Sequence, residues 1–480
     1  MFNIGKNVPI FATCKQTQSF KMRIKFLSVI VSFLFVSFAM SSCLGDDDPI
    51  EYSPNALVQA FELDNILGVN YAFTIDQLSG RIYNQDSLPV GSDTIIDRIL
   101  IKTLSTAGYV VAVDAAGKDS LFNIEDSVNL VNTMEILPDG TSGKPFKFRV
   151  YAPDLEHKKE YSLSVRVHQQ QPDSLNWGDG PIAQPFAPAI TGKQKAIIFD
   201  NNILVYSPEA TAVYSTALSD GKHWAESPIS GLPSTDLTSI VTFKEMLYAT
   251  VNGYSKVYSS SDGKSWTDAP AFGEDVVTLI APISNILTGI KTLKETNEKN
   301  ETEDVERFFT TDGSEWKVEG IVPQNFPRNN ISATTFNNAI GVPNIMVVGN
   351  IVEPTENDTA TIAWGYMEGQ EWAALSTESS YTCPMLQDPS IMYYGDAFYI
   401  FGKDFKTFYK SVNGIVWNAV ESMFMFPEQA ASESSATGGF RGWESDYSMV
   451  VDKNNFIWIM RSQPNEVWRG RLNRLGFDRQ

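Results

Sequence analysis

The apolar positions between residues 196 and 459 come in short runs that fold back on themselves. Ala196–Tyr206, Ile240–Thr250, Val276–Ile290, Ala333–Val348, Ile391–Phe401 and Met449–Ile459 each read as two apolar strands around a polar turn. A second pattern follows the first five. It is a turn of the form Asp-Gly-x-x-Trp: Asp220-Gly221 with Trp224, Asp262-Gly263 with Trp266, Asp312-Gly313 with Trp316, Glu368-Gly369 with Trp372, and Asn413-Gly414 with Trp417. Recurrence at a period of roughly 50 residues signals an array of equivalent units. Each unit is expected to hold two inner strands, a third strand, the turn, and a fourth strand that starts at Trp. The last hairpin lacks the turn and is followed by Glu466–Arg474, read as a third strand. Its fourth strand is then expected from chain ahead of Ala196, which would close the ring and remove its open edges.

The turn has a physical reading. Gly takes φ > 0 without steric cost, and Asp or Asn accepts backbone N–H groups two or three residues on. Trp buries a large surface between neighbouring units. Asp220, Asp262, Asp312 and Asn413, with Trp224, Trp266, Trp316, Trp372 and Trp417, are therefore expected to be structural. The turns resemble the Asp-boxes of sialidase-like propellers, one residue shorter. That resemblance implies a position on the face opposite a binding site.

Residues 52–170 have a different texture. Phe146–Val150 and Tyr161–Val167 alternate apolar and polar positions, as half-buried antiparallel strands do. Ile95–Thr103 and Tyr109–Val113 are further expected strands, with turn residues between them. About seven short strands in this length suggest an immunoglobulin-like sandwich. The fold class is thus all-β: an N-terminal immunoglobulin-like β-sandwich at 52–170, a linker at 171–180, and a six-bladed β-propeller at 181–480. Asn84–Gly91 reads as a strand-to-turn device without chemistry.

Composition adds an address. Residues 1–42 hold Lys6, Lys15, Lys21, Arg23 and Lys25 and no acidic residue, and Phe26–Met40 is an apolar run. This is the layout of a signal peptide, with Met22 as an alternative start. Ser41-Ser42-Cys43 resembles a bacterial lipobox, which implies lipid on Cys43 and a membrane partner. Each buried CH₂ contributes about 0.8 kcal/mol, so two or three acyl chains anchor durably. Asp46–Asp48, in a tether at 43–51, resembles the surface-export signal of Bacteroidetes lipoproteins. The implied location is the outer membrane, exposed at the cell surface. A periplasm-facing orientation and a plain solvated tether are the alternatives. The formal net charge of −20 argues against a nucleic-acid partner. With 3 His and 3 Cys in the chain, no metal site is expected, and no cofactor motif is found. Lys291–Asp304 is charged and reads as a solvated loop.

Taken together, the lipobox, the Asn84–Gly91 segment, the linker around Pro172–Trp177, the repeated turns and Val467–Phe477 resemble a Bacteroidetes outer-membrane lipoprotein family of unknown function. It pairs an Ig-like domain with a propeller, and the resemblance carries no catalytic residues. Candidate chemistry sits in loops between units. Arg441, Trp443, Glu444, Asp446 and Tyr447 place a guanidinium, aromatic rings and carboxylates within seven residues, a mix suited to a sugar ring. Asp388, Lys403 and Asp404 come from the unit before it. In the alternative, Trp443 and Tyr447 pack between units and Arg441 pairs with a carboxylate. The expected function is binding of a glycan or an envelope protein through the loop face. A glycoside hydrolase or polysaccharide lyase, and a structural partner of an outer-membrane complex, are the other readings.

Overall fold

The computed structural model describes residues 51–137, 140–186, 192–208, 210–375, 382–420, 422–428 and 438–476. The expected signal segment, the lipid acceptor Cys43 and the Asp46–Asp48 triplet lie outside the described residues. Among those described, no helix is long and apolar enough to cross a membrane. The chain divides into two compact units, the first ending at Val167 and the second beginning at His168.

Among its described residues, the N-terminal unit contains a six-stranded sheet and a two-stranded one. In the larger, the order is Phe73–Asp76, Arg81–Asn84, Lys158–Leu163, Phe146–Tyr151, Tyr109–Val113 and Asp119–Ser120. All neighbours are antiparallel except Arg81–Asn84 beside Lys158–Leu163, which run parallel. The smaller sheet pairs Val58–Leu63 with Ile101–Thr106. One core joins them, with Phe61, Leu63 and Ile101 from the pair meeting Ile82, Phe148 and Leu163 from the sheet. The Ile95–Thr103 segment departs from its expected strand. Gly91 (φ 84°) turns the chain, the Ile95 and Ile96 amides both bond the Ser92 carbonyl, and Asp93–Ile96 is a helical turn. Ile96 and Ile99, three residues apart, still reach the core together. Asn84 acts as a clamp. Its side chain accepts the Arg166 amide at 2.7 Å and donates to the Arg166 carbonyl at 2.9 Å, tying the early strands to the end of the domain.

Among the described residues, the C-terminal unit holds six four-stranded antiparallel sheets and one small two-stranded pair. Five sheets are built from consecutive chain, with first strands Lys195–Phe199, Leu237–Phe243, Val276–Ile283, Asn329–Asn337 and Ser390–Tyr394. The sixth uses Tyr447–Val451, Ile457–Arg461 and Glu466–Leu472, and its outer strand is Leu175–Asn176 from the other end of the unit. First strands neighbour one another in chain order from the first sheet to the fifth, and that of the sixth lies beside that of the first.

The turn glycines join sheet to sheet. A Cβ on Gly221, in the first sheet, would lie 2.5 Å from the Trp458 ring of the sixth. On Gly263, in the second, it would lie 2.5 Å from Leu204 Cδ1 of the first. On Gly313, in the third, it would touch Phe243 of the second, and on Gly414, in the fifth, it would strike Met346 of the fourth. Each of these four turns thus seats against the sheet before it. The Tyr206 hydroxyl bonds the Gly263 carbonyl at 2.7 Å, and the Tyr394 hydroxyl bonds the Asn455 carbonyl of the sixth sheet at 2.7 Å. The side-chain oxygens of Asp262, Asp312 and Asn413 accept amides two and three residues on at 2.8–3.2 Å. These bonds, led by the Glu315 and Ser314 amides at Asp312, hold the aspartates below the usual carboxylate range.

Trp266, Trp372 and Trp417 are buried at 3–9 % exposure. Trp266 meets Tyr206 of the preceding sheet, and Trp372 stacks on Phe308 of its own preceding sheet at 5.3 Å. Burying such a ring removes roughly 150–250 Å² from water, about 4–6 kcal/mol as an upper estimate. Trp316 does not follow the pattern. It is 37 % exposed and lies under the Lys291 ammonium at 3.7 Å, while Lys291 Nζ itself bonds the Phe272 and Glu274 carbonyls. The Glu368-Gly369 turn also differs, since nothing lies within 4 Å of a Cβ at Gly369. The charged stretch 291–304 is not a loop. Ile286–Thr296 and Thr302–Thr311 form one long hairpin, on which Arg307 grips Glu295 with two 2.7 Å bonds.

Gly221→Ala adds overpacking to left-handed strain and is expected to cost roughly 2–4 kcal/mol. Gly369→Ala meets only the strain, about 1 kcal/mol. Urea denaturation followed by tryptophan fluorescence compares them, and equal losses would deny the inter-sheet seat at Trp458.

Candidate functional site: a cavity lined by six first strands

The first strands of all six sheets line one cavity of about 440 Å³. At the strand beginnings stand Lys193, Asn330, Asp388 and Asp446, followed by Lys195, Ser239, Ser332, Ser390 and Ser448. Further along the strands the lining turns apolar, with Ile197, Val241, Ala281 and Met449. One end is therefore a polar mouth and the interior behind it is mostly hydrocarbon.

Hydroxyl groups bind one first strand to the next. Ser239 Oγ accepts the Leu279 amide at 3.0 Å, and Ser332 Oγ accepts the Ile391 amide at 3.1 Å. Thr334 does the same for Tyr393 at 3.1 Å. The Tyr447 hydroxyl lies 2.8 Å from Ser390 Oγ and 2.9 Å from the Asp388 carbonyl oxygen. Burial pushes this phenol well above its usual range, so it stays protonated. Ser448 Oγ reaches Gln194 Oε1 at 3.4 Å, closing the sixth sheet onto the first.

Asp388 is the hub of the mouth. Lys193 Nζ lies 3.3 Å and Lys403 Nζ 3.8 Å from its carboxylate, and Asn330 donates to it through Nδ2. Its own amide donates to Asn350 Oδ1 at 3.1 Å. Its φ of 48° is a left-handed conformation, which Asp adopts more readily than most residues. Two groups are left over. The half-buried Lys195 ammonium has no hydrogen bond or ion pair among the described residues, and the Asp446 carboxylate has none either. Burial first, and then repulsion by Lys193, bring Lys195 down to about 8.

The residues singled out in the sequence separate into two sets. Asp388, Asp446 and Tyr447 line the cavity, and Lys403 reaches it through Asp388. Arg441 instead pairs with Glu428 at 3.1 Å and bonds the Lys406 carbonyl at 3.2 Å, and Asp404 pairs with Lys406 at 3.4 Å. Trp443 and Glu444 are exposed outside the cavity lining. The Trp443 carbonyl is held by Arg461, a fully buried guanidinium that also pairs with Glu466 and lies over the Phe405 and Phe440 rings. Lys193, Lys195 and Asn330 were not foreseen. A signal for the mouth exists nonetheless: an acidic or amide residue stands at or just before five first strands, at Asp236, Asp275, Asn330, Asp388 and Asp446. Among the described residues no group of three His, Cys, Asp or Glu side chains could hold a metal ion.

Residues 171–480 match the model of the DUF6242 beta propeller domain, and residues 51–165 match the domain of unknown function (DUF6242) N-terminal domain. The chain belongs to the DUF6242 family. Its fold is all-β with a C-terminal β-propeller domain. No curated protein matches it. Similar solved structures include an alpha-L-arabinanase of Penicillium chrysogenum complexed with arabinobiose, at 13 % identity and TM-score 0.36, covering 62 % of this chain and 98 % of that one. A putative phosphatase of Bacteroides thetaiotaomicron shows 11 % identity and TM-score 0.38, with 83 % and 96 % covered. A protein of unknown function from the same organism shows 12 % identity and TM-score 0.36, with 78 % and 94 % covered. Likenesses this distant carry no argument about activity.

In the DUF6242 propeller, Asp388→Ala leaves Lys403 without its carboxylate and Asn330 with Asn350 Oδ1 as its remaining acceptor. A loss of about 1–3 kcal/mol is expected on chemical denaturation. An unchanged midpoint would show that the Asp388 hub bears no structural load.

Proposed function

We propose that this protein is a lipid-anchored cell-envelope binding protein whose propeller seats a saccharide in the central cavity. The observation that carries the reading is the cavity itself. Its volume of about 440 Å³ falls in the range of roughly 300–1,000 Å³ usual for small-molecule sites. Its mouth is rich in hydroxyl, amide, ammonium and carboxylate groups, the partners that sugar hydroxyls need. A concave site favours a saccharide over the flat face a protein partner would use. Binding is favoured over hydrolysis because Asp388 is committed to three protein partners. An acid or base must be free to exchange a proton with its substrate.

In this reading the six sheets are six blades, closed into a ring by Leu175–Asn176. The N-terminal domain is an immunoglobulin-like sandwich in which the last strand, Lys158–Leu163, lies between Phe146–Tyr151 and an early strand. It serves as a stalk on a lipid carried by Cys43, at the outer membrane and facing outward. Support for the address comes from the basic and apolar leader, Ser41-Ser42-Cys43 and the acidic triplet behind it.

A glycan array probed with the purified protein is expected to return saccharide ligands. Asp446→Asn, which replaces a charged acceptor by a neutral one, is expected to weaken them roughly tenfold to hundredfold. Absence of any saccharide binding at millimolar concentration would sink the reading. Separately, Cys43→Ala is expected to move the protein from the membrane fraction to the soluble fraction. If the variant stays with the membrane, the lipid anchor is refuted.

A further inference from the structure

Lys195 is the feature of the cavity that the propeller's own architecture does not use. It begins the first strand of the first sheet, lines the cavity and is half-buried. The charged groups that face it are Lys193, Asp388 and Asp236. Each carboxylate is already engaged. Asp388 is shared by Lys193 and Lys403, and Asp236 Oδ2 accepts Asn252 Nδ2 at 2.9 Å. The Lys195 ammonium is therefore partly stripped of water without receiving a direct partner, which is an unfavourable state for a cation. Just ahead of the neighbouring first strand, Tyr447–Val451, Asp446 has the complementary need. Its carboxylate is a pure acceptor with no donor on it, and hydroxyl groups would supply donors.

One ligand class meets both needs, a chain of sugar units that bears carboxylates beside its hydroxyls. Building on the saccharide reading above, we propose that the cavity selects acidic oligosaccharides built from uronic acids, with a ligand carboxylate paired to Lys195 and ligand hydroxyls donating to Asp446. Neutral sugars would satisfy Asp446 but offer Lys195 only a hydroxyl oxygen, without the opposite charge that a partly buried ammonium needs. The preference for acid over neutral ligand is then a property of one side chain. It also depends on pH. Lys195 is protonated below about 8 and loses its proton as pH rises through that value, so the acid preference is present below it and fades above it.

The test uses the full chain in detergent and isothermal titration calorimetry. The probes are oligomers of galacturonate, glucuronate, mannuronate and guluronate, the methyl ester of each, and the corresponding neutral oligomers. At pH 6.5 at least one acidic oligomer is expected to bind about tenfold or more tightly than its methyl ester, as a desolvated charge pair would give. Lys195→Gln is expected to abolish that preference, and an unchanged tryptophan fluorescence spectrum and urea midpoint report that the variant is folded. Lys195→Arg stays charged, so it is expected to keep the preference at pH 9.5, where the wild type loses it. Neutral binding without any acid preference would overturn this inference and leave the saccharide reading intact. An acid preference that survives Lys195→Gln would place the anion elsewhere and overturn it as well. No binding of any acidic oligomer would overturn this inference, while the glycan array decides the saccharide reading separately.

Discussion

The C-terminal unit depends on the close approach of each Asp-Gly turn to the sheet before it. A four-stranded sheet cannot bury both faces by itself, so its stability lies in the joint with its neighbours. The joint here is made by a backbone without a Cβ pressed onto a ring or an aliphatic side chain, Gly221 on Trp458 and Gly263 on Leu204, while Gly313 is in ordinary contact with Phe243. The acidic residue ahead of each glycine serves the same end. It satisfies the amides that the tight turn would otherwise leave bare, as Asp262 and Asp312 do. Carboxylates that look catalytic in the chain are thus consumed by backbone geometry.

Spaced by those joints, the first strands stand around a common cavity and are bound together by hydroxyls rather than by ladder hydrogen bonds. Ser239, Ser332 and Thr334 each receive an amide of the next sheet. This uses up side chains that would otherwise be free to meet a ligand. What remains available is a small set at the mouth, where Asp388 fixes two lysines and an asparagine in place while Lys195 and Asp446 stay open. The rigid part and the responsive part of the site are therefore different residues, a separation that preorganised binding sites require.

Much of this was legible in the chain because it depends on local rules. The hairpins show as paired apolar runs, and the turns show because only Gly tolerates their φ and only Asp or Asn caps them well. Residues whose fate is decided across space were not legible. Trp316 carries the same turn signature as Trp266, yet its ring lies under Lys291 of its own sheet, and it ends 37 % exposed. The 291–304 stretch reads as solvated from its charge, but cross-strand pairs such as Arg307 with Glu295 make it a hairpin. Among the candidate residues, Asp388, Asp446 and Tyr447 stand beside first strands and fell at the cavity, whereas Arg441 and Asp404 found partners on the surface. Lys195 precedes a hairpin with no motif around it, and its isolation is a fact about what its neighbours already hold.

Leu175–Asn176 gives the sixth sheet its outer strand, although the rest of that sheet comes from the last part of the chain. This stitch has a kinetic side. As the chain emerges during synthesis, the first five sheets can form in order from local hairpins, which close quickly. The sixth cannot be completed until nearly the whole unit has been made, and the early strand must wait unpaired for it. Ring closure is then the most non-local event in folding and bears the largest loop-closure entropy. Once made, it locks the two ends of the unit to each other, so unravelling from either end must first break the same sheet.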